Sequence, residues 1–257
     1  MADLSCFHLT GRIALVTGAS RGIGQSIAEG LAKAGASLAV TSRERASLDA
    51  TLTRLAALNA PAHPIEHDAC AAGSCDKAVA DTVARFGRID ILVNNAGTEE
   101  VRPSLDVDEA LWDRILDTNL KGAFFCARAA AARMKESGQG GAIINLCSLT
   151  SEVGVPGAVP YGSSKSGLLG MTRALAAEWA PYGIRVNAIA PGYFRTAMTE
   201  VFYRDETWQR AMLAKIPQAR FGETGDLQGA AVFLASAASA YVTGQCIAVD
   251  GGYLASI

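Results

Sequence analysis

Thr17-Gly18-Ala19-Ser20-Arg21-Gly22-Ile23-Gly24 follows the apolar run Ile13-Ala14-Leu15-Val16 and leads straight into an amphipathic stretch beginning at Ile23. Glycines let a chain turn sharply and bring its backbone close to a pyrophosphate, whose charge then meets the amide-rich start of a helix. Strand, glycine turn and helix in that order suit a dinucleotide fold, with Gly18, Ser20, Arg21, Gly22, Ile23 and Gly24 against the cofactor. The spacing G-x-x-x-G-x-G lacks the G-K-[ST] ending of a nucleoside-triphosphate loop, which disfavours a kinase or ATPase.

Working outward, short β-branched runs alternate with longer Ala/Leu-rich stretches. Strands are predicted at Arg12–Thr17, Ser37–Thr41, Ala62–His67, Ile89–Asn94, Ala142–Cys147, Arg185–Ala190 and Cys246–Val249. Most are apolar on both faces, as expected of parallel strands covered by helices on both sides. Helices are predicted near 23–34, 44–59, 74–86, 108–137, 161–180 and 226–237, with Asp106 or Asp108 capping the fourth. The fold class is α/β: a doubly wound, seven-stranded parallel sheet with ligands at the carboxyl ends of its strands. No internal repeat or linker breaks the 257 residues, so one catalytic domain is expected, with a lid near residues 193–216.

Composition narrows the function. A formal net charge of −2 argues against a nucleic-acid partner, which needs clustered Lys and Arg. No apolar stretch is long enough to span a bilayer, and the first residues lack a secretory signal, so a cytoplasmic protein without a membrane partner is expected. The six cysteines contain no C-x-x-C pair. Cys70 and Cys75 lie near His63 and His67, but their spacing does not repeat as in a zinc site. Packing thiols and no metal are the expectation.

Tyr161-Gly162-Ser163-Ser164-Lys165 puts a phenol and an ammonium one helical turn apart on one face. A free tyrosine titrates near pH 10, and a neighbouring ammonium together with an oxidised nicotinamide would lower that value, by about 3 units. Ser148 follows a strand and can hold a substrate oxygen. Cys147 has no histidine near it in sequence and reads as a packing residue rather than a nucleophile. After the second strand, Ala39-Val40-Thr41-Ser42-Arg43 lacks the acidic residue that binds the ribose hydroxyls of NAD. Ser42, Arg43 and Arg21 would instead hold a 2′-phosphate, so NADP(H) is expected over NAD(H).

These motifs together resemble the short-chain dehydrogenase/reductase family over nearly the whole length. They are T-G-x-x-x-G-x-G at 17–24, N-N-A-G at 94–97, Asn119, Ser148, Tyr161-x-x-x-Lys165, Pro191-Gly192 with Thr196, and Val249-Asp250-Gly251-Gly252. The resemblance implies a catalytic set of Asn119, Ser148, Tyr161 and Lys165, Asn119 organising a water that links Lys165 to solvent. It also implies that Asp68 and Ala69 flank the adenine, that Asn94, Ala96 and Gly97 line the middle of the cofactor, and that Lys165 bonds the nicotinamide ribose. Pro191, Gly192, Phe194 and Thr196 would complete the cofactor site. Pro191-Gly192-Tyr193-Phe194 and Ser148-x-x-x-Glu152 are similar to gluconate 5-dehydrogenases, with Glu152, Tyr193 and Arg102 against a small polar carbonyl substrate. Glu99 and Glu100 depart from the basic character that a carboxylate substrate would call for. The alternatives are a 3-oxoacyl-carrier-protein reductase, whose acidic partner would want a basic entrance, and a catalytically silent dinucleotide sensor. The family also implies a homotetramer, formed through the helices near Trp112–Met134 and Ser163–Trp179 and through the C-terminal tail.

Overall fold

The computed structural model describes residues 4–195 and 202–256. Seven parallel strands form one sheet: β1 (Ile13–Val16), β2 (Ser37–Ser42), β3 (Ala62–Glu66), β4 (Ile91–Asn94), β5 (Gly141–Leu146), β6 (Ile184–Pro191) and β7 (Cys246–Val249). Their order is β3-β2-β1-β4-β5-β6-β7, with Val16 level with Val40 on one side and Val93 on the other. The helices are α1 (Gly22–Lys33), α2 (Asp49–Ala57), α3 (Ser74–Phe86), α4 (Glu109–Leu116), α5 (Gly122–Ser137), α6 (Val159–Trp179), α7 (Glu206–Leu213) and α8 (Gln228–Ala235).

The continuous apolar runs are explained by two cores. Alternate strand residues point to opposite faces, so Ala14, Val16, Leu38, Val40 and Val93 pack with Ile27 and Leu31 of α1 and Leu234 of α8. Leu15, Ala39, Leu92 and Ile143 pack on the other face with Val79 of α3, Met134 of α5 and Leu175 of α6. Leu168 and Trp179 are also buried, and the Leu168/Met171/Leu175/Trp179 stripe is the core face of α6. Fully burying one such side chain contributes about 2 kcal/mol. Among the described residues, no helix is long and apolar enough to cross a membrane.

Two predicted helices differ from the structure. The second begins later, because Ser42 and Ser47 hydroxyls both donate to Glu44 O and hold a 3-10 turn, Arg45–Leu48, before α2. The long stretch over 108–137 is divided by a π-helical turn at Asp117–Lys121, placed between α4 and α5. Such turns insert one residue into the helical ladder, and here the insertion carries the buried Asn119. Asp108 is the cap, accepting a hydrogen bond from Leu111 N at 2.8 Å.

The amino ends of the two central strands, β1 and β4, are fastened by one buried carboxylate. Asp90 accepts from Ile13 N at 2.9 Å and from Arg12 at 3.2 Å, and it pairs with Arg88. Replacing it leaves the Ile13 amide unsatisfied, although the half-exposed arginines can find water instead. Asp90→Ala is therefore expected to lower stability by about 2 kcal/mol, with Asp90→Asn losing less. Urea unfolding measures both, and equal stability of Asp90→Ala and the parent would contradict the role.

Candidate active site

β1 has β2 on one side and β4 on the other, so the connections leave in opposite directions and open a crevice at the carboxyl end of β1. The glycine turn lies there. Gly18 and Gly22 have φ of +63° and +60°, a region that glycine enters freely. The turn is tied down by Asn95, whose Nδ2 donates to Thr17 O and Gly18 O at 2.9 Å each. Asn95 N and Ala96 N both donate to Thr17 Oγ1 at 3.0 Å. A Cβ at Gly24 would lie 2.4 Å from Asn95 Nδ2 and 2.5 Å from Gly18 O, so this close approach requires glycine.

At the start of α1, Arg21 provides no side-chain cap. The first amides of a helix are then left for an outside acceptor, and a phosphate suits them. Arg21 and Arg43 are exposed, and among the described residues neither forms an ion pair. Ser42 is buried and already engaged, donating to Glu44 O at 2.5 Å and accepting from Ser47 at 2.9 Å. The expected phosphate contact therefore narrows to the two guanidiniums. These features fit a phosphorylated dinucleotide.

Asn94 does not face the crevice. Its Nδ2 donates to Ala123 O and Asn145 Oδ1, and Asn145 donates in turn to Thr172, which makes a buried polar ladder beneath the sheet. Asn95 is the residue that sequence reasoning missed. In N-N-A-G the two asparagines look alike, and only strand alternation separates them. Asp68 is exposed at the mouth, where its carboxylate accepts from Cys70 N. Ala69 sits on the start of α5, where a Cβ at Gly122 would meet it at 2.7 Å.

The chemical end lies beyond β5. Ser148 is buried, accepts from Thr150 N at 3.2 Å, and starts a short 3-10 turn with a capping box closed by Ser151. Burial pushes the Tyr161 phenol above its ordinary value, and the Glu99 carboxyl pushes it the same way, against the pull of the Ser148 hydroxyl toward the phenolate. The depression expected from the sequence is thus reversed among the chain's own groups. Lys165 is buried, and its Nζ donates to Leu146 O at 2.6 Å while lying 5.6 Å from the centre of the Tyr161 ring. Burial lowers its own pKa, countered by Cys147 and Glu99. Cys147 is buried with its thiol against Cys246, in keeping with a packing residue.

Asn119, on the π-helical turn, reads Thr98 from both sides. Its Oδ1 accepts from Thr98 N at 2.8 Å and its Nδ2 donates to Thr98 O at 2.9 Å and to Ser164 Oγ at 3.0 Å. A Cβ at Gly97 would come within 3.3 Å of Asn119 Oδ1 and 3.7 Å of Lys165 Nζ, so these two polar groups flank that glycine.

The proposed substrate residues divide. Glu99 is half-buried, and burial raises its pKa against the pull of Lys165. Glu152 instead lines a cleft with Arg173, Thr243 and Gln245. Arg102 is committed to Glu100 and to Asp108, the latter at 3.1 Å. Tyr193 belongs to an aromatic cluster with Trp208 at 5.7 Å and Tyr253 at 5.3 Å, which ties α7 to the end of β6 and to the C-terminal segment. Phe194 is buried against Gly222 rather than open to the crevice. Gly192 donates to Val249 O at 3.0 Å and fits closely over Asp250, holding the end of β6. Thr196 lies outside the described residues.

A family model described as enoyl-(acyl carrier protein) reductase matches residues 18–254. The 2-dehydro-3-deoxy-D-gluconate 5-dehydrogenase of Escherichia coli (strain K12) is 42% identical over 252 residues, covering 98% of this chain and 99% of the relative. A solved structure from Sinorhizobium meliloti 1021, assigned provisionally as a short-chain alcohol dehydrogenase, shares 62% identity with a TM-score of 0.96. It covers 98% of this chain and 100% of its own. A gluconate 5-dehydrogenase from Burkholderia cenocepacia J2315, in complex with NADP and tartrate, is 38% identical with a TM-score of 0.95 and full coverage of both chains, 100% each. With the glycine turn, Ser148, Tyr161 and Lys165 in order along a match of this length, the chain belongs to the short-chain dehydrogenase/reductase family, oxidoreductases acting on CH–OH groups.

Proposed function

We propose that this chain interconverts a ketone and a secondary alcohol on a small polyhydroxylated substrate of the sugar-acid or polyol class, with NADP(H) preferred over NAD(H). The observation that carries this reading is the position of Lys165, buried at the carboxyl end of β5 with Nζ donating to Leu146 O at 2.6 Å and lying 5.6 Å from the centre of the Tyr161 ring, beside buried Ser148. The relatives support it: the E. coli protein is named for a sugar acid, and the Burkholderia structure holds NADP with a hydroxy acid.

The bound nicotinamide would supply or accept the hydride. Ser148 and Tyr161 are two hydroxyl donors for the substrate oxygen, aimed where negative charge develops during reduction. A phenol held above its ordinary value stays protonated at neutral pH, which is the form a proton donor needs. Lys165, anchored on Leu146 O, lies close enough to accompany that proton loss with positive charge. Asn119 acts as a positioning residue that holds Thr98 and leaves an oxygen beside Lys165 for a relay water.

Glu99 bears on the substrate. Burial raises the pKa of the half-buried Glu99, so a second carboxylate brought against it would add charge where charge is already penalised, whereas sugar hydroxyls can donate to it. With Arg102 already paired, an acid group on the substrate would lie away from Glu99. The same acidic rim disfavours an acyl-carrier protein. The reading extends to a homotetramer, since Trp112 of α4 and Phe124 and Phe125 of α5 are exposed.

The deciding assay is a panel of ketoses, keto-acids and 3-oxoacyl thioesters with NADPH and NADH in parallel; turnover confined to the thioesters would overturn the substrate class. Tyr161→Phe is expected to lower kcat by about a hundred- to ten-thousand-fold with cofactor binding nearly intact. In the parent, reduction should stay level through neutral pH and fall only as the raised phenol ionises, while oxidation climbs with pH. A reduction rate already falling between pH 6 and 7 would contradict the donor role. Replacing Arg21 and Arg43 with Ala should raise KM for NADPH by about ten- to a hundred-fold and leave NADH almost unchanged. Equal effects on both cofactors would remove the phosphate clamp. Light scattering on the purified protein should give four times the chain mass, and a monomer would refute the assembly.

A further inference from the structure

We propose that His67, Cys75 and Cys126 form a binding site for zinc, separate from the catalytic groups. The three side chains are buried, and their ligand atoms lie within 4.8 Å of one another. They come from three places: His67 from the loop after β3, Cys75 from the first turn of α3 and Cys126 from α5. His67 Nε2 is 3.6 Å from Cys126 Sγ. In a tetrahedral zinc site, legs of about 2.3 Å to sulfur and about 2.05 Å to nitrogen put those atoms about 3.5 Å apart. The side of the triangle already has the length that a bound ion requires.

The orientation of the imidazole agrees. Its Nδ1 is 2.8 Å from Ser74 Oγ, and with Nδ1–H donated there the lone pair lies on Nε2, facing Cys126. A partner on the second ring nitrogen is the usual means of fixing a metal-binding histidine. The Cys75 thiol donates to Gly122 O at 3.4 Å, at the start of the helix that carries Cys126.

Charge decides which cation fits. Two thiolates and one neutral imidazole around a divalent ion leave no net charge, so the complex avoids the large cost of burying an ion. Binding replaces both S–H protons: the divalent ion enters, two Zn–S bonds and one Zn–N bond form, and both protons pass to solvent. Sulfur and imidazole ligands with no bound carboxylate select a thiophilic ion such as zinc over magnesium or calcium. The alternative, three core side chains sharing weak hydrogen bonds, has the same residues but no affinity for metal.

The sequence spacing concealed this group, because Cys126 stands far along the chain from His67 and Cys75. His63 and Cys70, which looked like their companions, are not part of it. Cys70 is exposed and its thiol faces Thr118 instead.

The test begins with the intact protein, loaded with zinc under reducing conditions, dialysed, and analysed for metal per chain. One equivalent is expected, with proton release on titration in weak buffer. Cobalt substitution should give thiolate-to-metal charge-transfer absorption and the intense visible bands of a tetrahedral ion. Cys75→Ser should weaken zinc binding at least about a hundred-fold, with circular dichroism confirming its fold. The surface variant Cys6→Ala/Cys70→Ala, which leaves the core untouched, should retain the full equivalent. Absence of tight zinc, cobalt spectra without thiolate bands, or loss of binding in the surface variant would each overturn the proposal. If Cys75→Ser does not fold, the parent's cobalt spectrum and the surface variant still decide it.

Discussion

The tie from Asn95 to the glycine turn sets the shape of the cleft. One side-chain amide holds Thr17 O and Gly18 O, while Thr17 Oγ1 receives two backbone amides in return. This locks the ends of β1 and β4 together at the point where the crossover connections diverge. The uncapped start of α1 is thereby presented to the crevice, with Ala96 and Gly97 forming its floor. Gly97 lies between Asn119 and Lys165, and Lys165 reaches back to Leu146 at the end of β5. Each contact depends on the preceding one, so cofactor and proton chemistry share a single framework.

Much of that framework was legible in the residues. The seven apolar runs correspond to seven strands because both faces of the sheet are buried, a constraint that leaves its mark on every strand residue. Tyr161 and Lys165 lie on one face of α6, as their four-residue spacing implied. Less legible were features set by which way a side chain turns. Asn94 and Asn95 are adjacent and chemically identical, yet one supports the core and the other the cofactor turn. Arg102 read as a free cation, but Glu100 and Asp108 claim it. The π-helical turn left no pattern of its own, because an inserted residue disturbs apolar periodicity only slightly.

The electrostatics of Tyr161 show how burial competes with charge. A residue pattern displays an ammonium near a phenol, but it cannot show that the ammonium is spent on a carbonyl or that a carboxyl stands on the other side. Desolvation penalises a phenolate in proportion to its enclosure, and the enclosure here comes from the same packing that aligns Ser148 with Tyr161. Precise positioning and a high phenol pKa are therefore linked properties of one pocket.

The π-helical turn has a consequence for how the chain tolerates insertion and deletion. It holds one residue more than an ordinary helical turn, and successive residues are offset by about 100° around the axis. Removing any residue between Asp117 and Lys121 would allow the segment to relax to a regular helix. The wide turn would then be lost, and with it the placement that lets the Asn119 amide hold both Thr98 N and Thr98 O, while α4 and α5 would keep their register. Length in this segment is therefore bound to the setting of Asn119. The chain can vary the chemistry of exposed positions such as Lys121, but it cannot vary their number.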